Sequence, residues 1–274
     1  MLGNAALRLF SQSEGFNVAG TVRSARAARL LPSELRHLLI EGVDVEQFDS
    51  LARGLELARP DVVINCIGVV KQLAEADDPL TALPLNSLLP HRLARLCSLV
   101  GARLVHVSTD CVFSGSKGRY VESDFPDAHD LYGRSKYLGE VDYPNAVTLR
   151  TSIIGHELEG ERSLLCWFLA QSGSVRGYTR AVFSGIPTVE LARIVRDFVL
   201  PDPELRGLYH VSSEPIRKYD LLHLVAKAYA KSIVITPCDE VVIDRSLDSG
   251  RFQAATSYTP PAWPELVRRM HAFR

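Results

Sequence analysis

Along the first half of the chain, short apolar runs rich in β-branched residues alternate with segments whose apolar positions recur at helical spacing. The runs predict strands at Phe16–Val22, Leu38–Val43, Val62–Cys66, Arg103–Val107 and Ala146–Arg150. Helices are predicted at Asn4–Ser13, Val45–Ala58, Ser87–Val100 and Leu131–Val141. The strand runs lack an in/out alternation, as expected where helices cover both faces of a parallel sheet. The pattern therefore predicts an α/β fold of doubly wound, Rossmann type. Pro84 and Pro90 break or start the helix that precedes the fourth strand.

Beyond about residue 150 the texture changes. Segments shorten, Pro and Gly become more frequent, and aromatics cluster: Trp167, Phe168, Tyr178, Phe183, Tyr209, Tyr219, Tyr258 and Trp263. Residues 1–150 are expected to form the doubly wound domain. Residues 151–274 are expected to form mainly a smaller α/β region, with a segment near 180–200 returning to pack on the first domain. The start is unusual. A doubly wound nucleotide fold opens with a buried strand, a Gly-rich turn and a helix, whereas Met1-Leu2-Gly3-Asn4 leads straight into the amphipathic Ala5–Phe10. The chain is expected to start inside the turn, without the first strand; a fold that opens on a helix is the alternative.

Composition narrows the classes. The 274 residues carry 31 basic and 32 acidic side chains, a formal net charge of −1, which gives no footprint for nucleic acid. No apolar stretch reaches the ~18 residues of a membrane span, and no leader is expected. Cys66, Cys97, Cys111, Cys166 and Cys238 are odd in number and widely spaced, which suits reduced thiols in a cytoplasmic protein. No metal site is expected from the histidines; His106 and His210 fall in strands and read as satisfied core residues.

The candidate chemistry lies between residues 107 and 136. Tyr132 and Lys136 are four apart, so on a helix they share one face. A free tyrosine has a pKa of about 10, and a neighbouring ammonium favours the phenolate. Thr109, in Val107-Ser108-Thr109-Asp110, supplies a hydroxyl at a strand's C-terminal end, where ligands of open α/β sheets bind.

Val107–Gly115, Tyr132-Gly133-Arg134-Ser135-Lys136 and Leu149-Arg150-Thr151-Ser152 together resemble the extended short-chain dehydrogenase/reductase family, and within it the dTDP-4-dehydrorhamnose reductase branch. Val63–Gly68, Gly185-Ile186-Pro187-Thr188 and Gly207–Val211 resemble further elements of that branch, so the likeness covers nearly the whole chain. The resemblance implies a nicotinamide-dependent reduction of a 4-keto-6-deoxy sugar nucleotide for surface polysaccharide. Tyr132 would be the general acid, Lys136 would lower its pKa and bind the nicotinamide ribose, and Thr109 would polarise the carbonyl with help from Asp110. Gly3, Asp44, Asn65, Gly68 and Asn86 would line the cofactor.

Arg23, with Ser24 and Arg26, would favour the 2′-phosphate of NADPH over NADH, which is the alternative; an unliganded surface arginine is the plainer role. Arg150, Arg245 and Arg251 would face the nucleotide-sugar substrate, with exposed salt bridges the other use of Arg245 and Arg251. The family's turn reads GxxGxxG, and only Gly3 corresponds to it here. A homodimer is compatible with the resemblance. A sugar-nucleotide epimerase or a non-catalytic NADP-binding regulatory subunit are the competing functions.

Overall fold

The structure, a computed structural model, describes all 274 residues. The first half runs α1 (Leu2–Ser11), β1 (Gly20–Val22), α2 (Ala25–Arg29), β2 (Leu39–Glu41), α3 (Phe48–Ala58), β3 (Val62–Asn65), α4 (Pro79–Ala82), α5 (Leu89–Leu99), β4 (Arg103–Thr109), α6 (Leu131–Leu138) and β5 (Ala146–Thr151). The second half runs β6 (Ile153–Ile154), α7 (Leu164–Ala170), β7 (Ser174–Tyr178), β8 (Ala181–Phe183), β9 (Ile186–Pro187), α8 (Thr188–Ile194), β10 (Gly207–His210), β11 (Ile216–Arg217), α9 (Lys218–Ala228), β12 (Val234–Cys238), β13 (Ile243–Asp244), α10 (Gly250–Thr256) and α11 (Trp263–Ala272). No helix is long and apolar enough to cross a membrane.

The fold is the doubly wound α/β type, but its parallel sheet is in two pieces. β10, β5, β4 and β3 lie side by side in that order, all parallel. β1 and β2 pair only with each other. α1 joins the two pieces. Leu2, Ala6, Leu9 and Phe10 enter a 17-residue core with Val105, Val147, Leu149 and Ile194, while Leu7 packs with Leu31 and Leu35 beside β1 and β2. The other face of the larger sheet is covered by α5, whose Leu89, Leu93 and Cys97 meet Leu104 and Ala146. Two-sided cover explains the unalternating apolar runs of β4 and β5.

The segment that follows β9 contributes α8 to this same core, against α1. A second core of 13 residues gathers Phe168, Leu221, Trp263 and Leu266 from α7, α9 and α11. Around it stand small sheets: β11, β8 and β13 in that order, and the pairs β12–β7 and β6–β9.

One expectation changes. The strand predicted from Phe16 is confined to Gly20–Val22, because Phe16 turns edge-on to Phe10, their ring centres 5.0 Å apart. The prolines take the second of the two roles expected of them and stand at the starts of helical segments. Pro84 falls in a π-helical turn, Leu83–Leu88, and Pro90 in the first turn of α5, so the segment continues with a local widening. A proline in a helix interior removes one N–H and crowds the preceding turn, which the π turn accommodates.

Candidate active site

The larger sheet ends in a cluster of polar side chains at the C-terminal end of β4. Thr109 closes the strand, and its Oγ1 accepts a hydrogen bond from the Cys111 N–H at 3.1 Å while donating to Asp110 Oδ1 at 3.2 Å. Asp110 is buried, and that burial raises its carboxyl pKa despite the opposing charge of Arg245.

The next helix, α6, starts beside this strand end. Asp130 caps it, accepting the Gly133 N–H at 2.7 Å, and its second oxygen binds Lys71 at 2.6 Å. Position 133 must be glycine: a Cβ there would lie 2.3 Å from the Cys111 carbonyl oxygen and 2.6 Å from Ala128. That close approach brings the preceding residue, Tyr132, up to Thr109, with Cys111, Asp110 and Asp130 around it. Burial, reinforced by Cys111, pushes the Tyr132 phenol well above its ordinary pKa, with the neighbouring Thr109 hydroxyl working the other way.

Lys136 lies one turn along α6, 6% exposed, with Nζ donating to the Val107 carbonyl at 2.9 Å. Burial lowers its pKa to about 8, and Glu140 one turn further works the other way. The Tyr132 phenol is thus raised, where its spacing from Lys136 led to the expectation of a depressed one. In this arrangement the cost of burying the phenolate exceeds any help from the ammonium.

The cofactor-side residues divide into free and engaged. Gly68 sits beside the site; a Cβ there would be 3.0 Å from Asn86 Oδ1 and 3.8 Å from Lys136 Nζ. Gly3 lies in the first turn of α1, where a Cβ would stand 3.5 Å from Cys66. That helix has no acidic residue in its first turn and no side-chain cap, so its first amides face outward unengaged, as an anion requires. Arg23 is exposed just past β1. These positions fit a dinucleotide: bare backbone beside Lys136, free amides at α1 and a cation beyond β1.

Other residues expected at a ligand are engaged within the protein. Asn65, 3% exposed, is engaged with Ile67 N–H and His106. Asn86 is fully buried and holds both the N–H and the carbonyl of Val69 as well as Ser135 Oγ. Both support the site from beneath. Ser24 caps α2 through the Ala27 N–H, and Asp44 caps its own turn through the Glu46 N–H. Arg150, expected at the substrate, is 1% exposed; it pairs with Glu140 at 2.5 Å and binds His210 Nε2 at 2.9 Å. Arg251 stacks on Tyr209 and lines a separate surface pocket of about 370 Å³ with Arg206, Glu122 and Asp142.

Arg245 stands near the site, donating to the Phe113 carbonyl at 2.7 Å with Cys111 Sγ at 3.9 Å. Lys218, at the start of α9, adds a second cation near Asp110 and Cys111, its pKa lowered by burial. Nothing in the sequence around Lys218 marks it. Glu140 was detectable, since it follows Lys136 at helical spacing.

The family model of the RmlD substrate binding domain matches residues 1–270. The chain belongs to this family. Among curated relatives, the beta subunit of methionine adenosyltransferase 2 from Mus musculus is 26% identical over 246 residues, covering 84% of this chain and 69% of that protein. The dTDP-4-dehydrorhamnose reductase of Mycobacterium tuberculosis is 39% identical over 101 residues, 34% of this chain and 33% of its own length. The crystal structure of dTDP-4-dehydrorhamnose reductase from Bacillus anthracis in complex with NADP superposes with a TM-score of 0.73 at 19% identity, covering 85% of this chain and 89% of that one. The structural likeness establishes a shared fold. The relatives of this chain thus include both a reductase and a protein named as a subunit of another enzyme, which sets the two functions to be weighed.

Proposed function

We propose that this RmlD-family chain is an NADPH-dependent reductase of a 4-keto-6-deoxy sugar nucleotide, dTDP-4-dehydrorhamnose or a close analogue, acting in the cytoplasm for surface polysaccharide. The observation that carries this is the convergence of the Thr109 hydroxyl and the Tyr132 phenol at the end of β4, with the Lys136 ammonium one turn behind. Residues 1–150 would hold the cofactor and residues 151–274 mainly the sugar nucleotide.

The bound cofactor would supply the hydride, which no side chain can. Tyr132 would give its proton to the carbonyl oxygen; its raised pKa keeps that proton in place until the oxygen arrives. Thr109 would turn its proton from Asp110 to the same oxygen. An ammonium has three donors, and Lys136 uses one on Val107, leaving two for the ribose hydroxyls. Its positive charge would stabilise the tyrosinate left after transfer. Arg245 and Lys218 would meet the substrate's negative charge.

Tyr132→Phe is expected to lower kcat by about 10²–10⁴-fold with unchanged thermal stability. NADPH consumption in step with sugar reduction is the assay. Epimer interconversion without NADPH loss would replace the reductase with an epimerase that retains its NAD. The rate should also fall as pH rises through about 8, where Lys136 loses its proton. Lys136→Met should be slow and lack that limb.

A second function has specific support: the likeness to a beta subunit extends over 84% of this chain, and the Tyr132 phenol is raised. A non-catalytic NADP-binding subunit would bind the cofactor and support function in the cell equally well with Phe at position 132.

A further inference from the structure

Beneath the site lies a buried histidine that the chemistry above leaves without a role. His106, on β4, is fully buried and stands in register with Asn65 on β3. The Asn65 carboxamide oxygen accepts the Ile67 N–H at 3.0 Å, so its NH₂ group is directed at His106 Nδ1, 3.2 Å away. An amide NH₂ only donates, so Nδ1 is the bare, accepting nitrogen and the ring proton sits on Nε2. Nε2 has no hydrogen-bond partner. Burial, with the nearby Lys136 ammonium on α6 acting the same way, keeps the ring neutral.

An orphaned buried N–H is unfavourable by the desolvation of that group, and an apolar side chain would avoid it. Core packing alone therefore does not explain a histidine here. The ring contributes an acceptor for the Asn65 NH₂, which together with the Ile67 N–H holds the carboxamide in one orientation. With the carboxamide reversed, its NH₂ would oppose the Ile67 N–H, donor against donor, and the turn after β3 would open.

That turn is clamped at both ends by carboxamides. Asn65 holds Ile67, and Asn86 accepts the Val69 N–H at 2.9 Å. Between them lies Gly68, whose bare backbone adjoins Lys136 Nζ. Asn86 is oriented by three partners of its own, whereas Asn65 depends on His106.

We propose that His106 is a positioning residue for the Cys66-Ile67-Gly68 turn, acting through Asn65. The consequence for cofactor affinity rests on the proposed function; the consequence for the turn does not. Two variants test it: His106→Leu, which removes the acceptor, and His106→Asn, whose side-chain oxygen can stand where Nδ1 does. Amide hydrogen exchange at Ile67 is followed by NMR in cofactor-free protein, alongside NADPH titration and thermal unfolding.

In His106→Leu, Ile67 exchange should rise about tenfold and NADPH affinity fall by about the same factor, the size of one good hydrogen bond. The Tm should change little, since one orphaned donor, His106 Nε2, is exchanged for another, the Asn65 NH₂. His106→Asn should restore both readouts to within about threefold. Unchanged Ile67 protection in the leucine variant, or no recovery with asparagine, overturns the assignment. If the wild-type protein binds neither NADPH nor NADH, the proposed function fails while Ile67 exchange still decides the role of His106.

Discussion

The two pieces of parallel sheet are built from the same kind of apolar run, yet they end in very different states. Every residue of β5 is buried, and β4 has five of its seven buried, between α1 and α8 on one face and α5 on the other. β1 and β2 are three residues each, and none of those six is buried. Their support comes from a small cluster, Leu7, Leu31 and Leu35, with Val18, Val22, Leu38 and Leu39 against it. Strands gain stability from what covers them more than from their own propensity. The candidate chemistry stands on the thick piece and the candidate phosphate-binding arginines on the thin one. Rigidity at Thr109 and Lys136 is therefore inherited from the core, while order at Arg23 depends on a few leucines.

The largest expected effect breaks the thick piece from within. Arg150 links β5 to Glu140 and to His210, and Glu140 also accepts the Ser108 hydroxyl at 2.6 Å. The Arg150 charge, with burial as the larger cause, lowers the His210 pKa to about 3, so the ring is a neutral partner at working pH. Arg150→Met leaves a buried carboxylate uncompensated, which costs about 3–5 kcal/mol. Urea denaturation measures it, and the double variant Arg150→Met with Glu140→Leu should recover most of the loss. A single-variant loss under about 1 kcal/mol would show that Glu140 reaches water and that the thick piece is less sealed than it looks.

A smaller effect should separate the pieces. Leu7 is 7% exposed and is the point at which α1 meets the thin piece. Leu7→Ala should cost about 2–3 kcal/mol, toward the low end for leucine because the site can collapse. The loss should be local: exchange of the Val22 and Ile40 amides should accelerate, with those of β4 unaffected. Equal acceleration in both pieces would mean that α1 makes them one cooperative unit, and the contrast drawn above would not hold.

What the sequence disclosed follows the same division. Thr109, Tyr132 and Lys136 were readable because a strand end and a helical spacing are local features. Arg150 was not: Leu149-Arg150-Thr151-Ser152 reads the same whether its guanidinium meets a substrate or a buried Glu140. Asn65 and Asn86 entered through the resemblance alone, and their partners within the protein, His106, Val69 and Ser135, lie 17 to 49 positions away and appear only on folding. The doubly wound order was legible from its alternation. That the sheet stands in two pieces follows from unpaired edges, which no single run encodes.

On the thin piece itself the expected changes concern affinity. Arg23 is exposed beyond β1, so Arg23→Ala should leave stability unchanged. If the guanidinium meets a 2′-phosphate, the preference for NADPH over NADH should fall about tenfold, or about 1.4 kcal/mol. An unchanged preference would remove Arg23 from the site and leave it a solvated surface residue.

The smallest effect has the most diagnostic sign. Arg26 on α2 reaches Glu159, in the segment after β6, at 3.2 Å, with the two side chains 77% and 58% exposed. An ion pair so open contributes between nothing and about 1 kcal/mol, so Glu159→Gln should not move the Tm measurably. It should, however, release a guanidinium three residues from Arg23. If that group turns to the same phosphate, NADPH should bind about two- to threefold more tightly in Glu159→Gln at low salt. The gain should vanish at high ionic strength, where exposed charges are screened, and NADH should show none at either. A gain shared by NADPH and NADH would instead mean that Glu159 acts by holding the thin piece in place, since only the 2′-phosphate distinguishes the two cofactors.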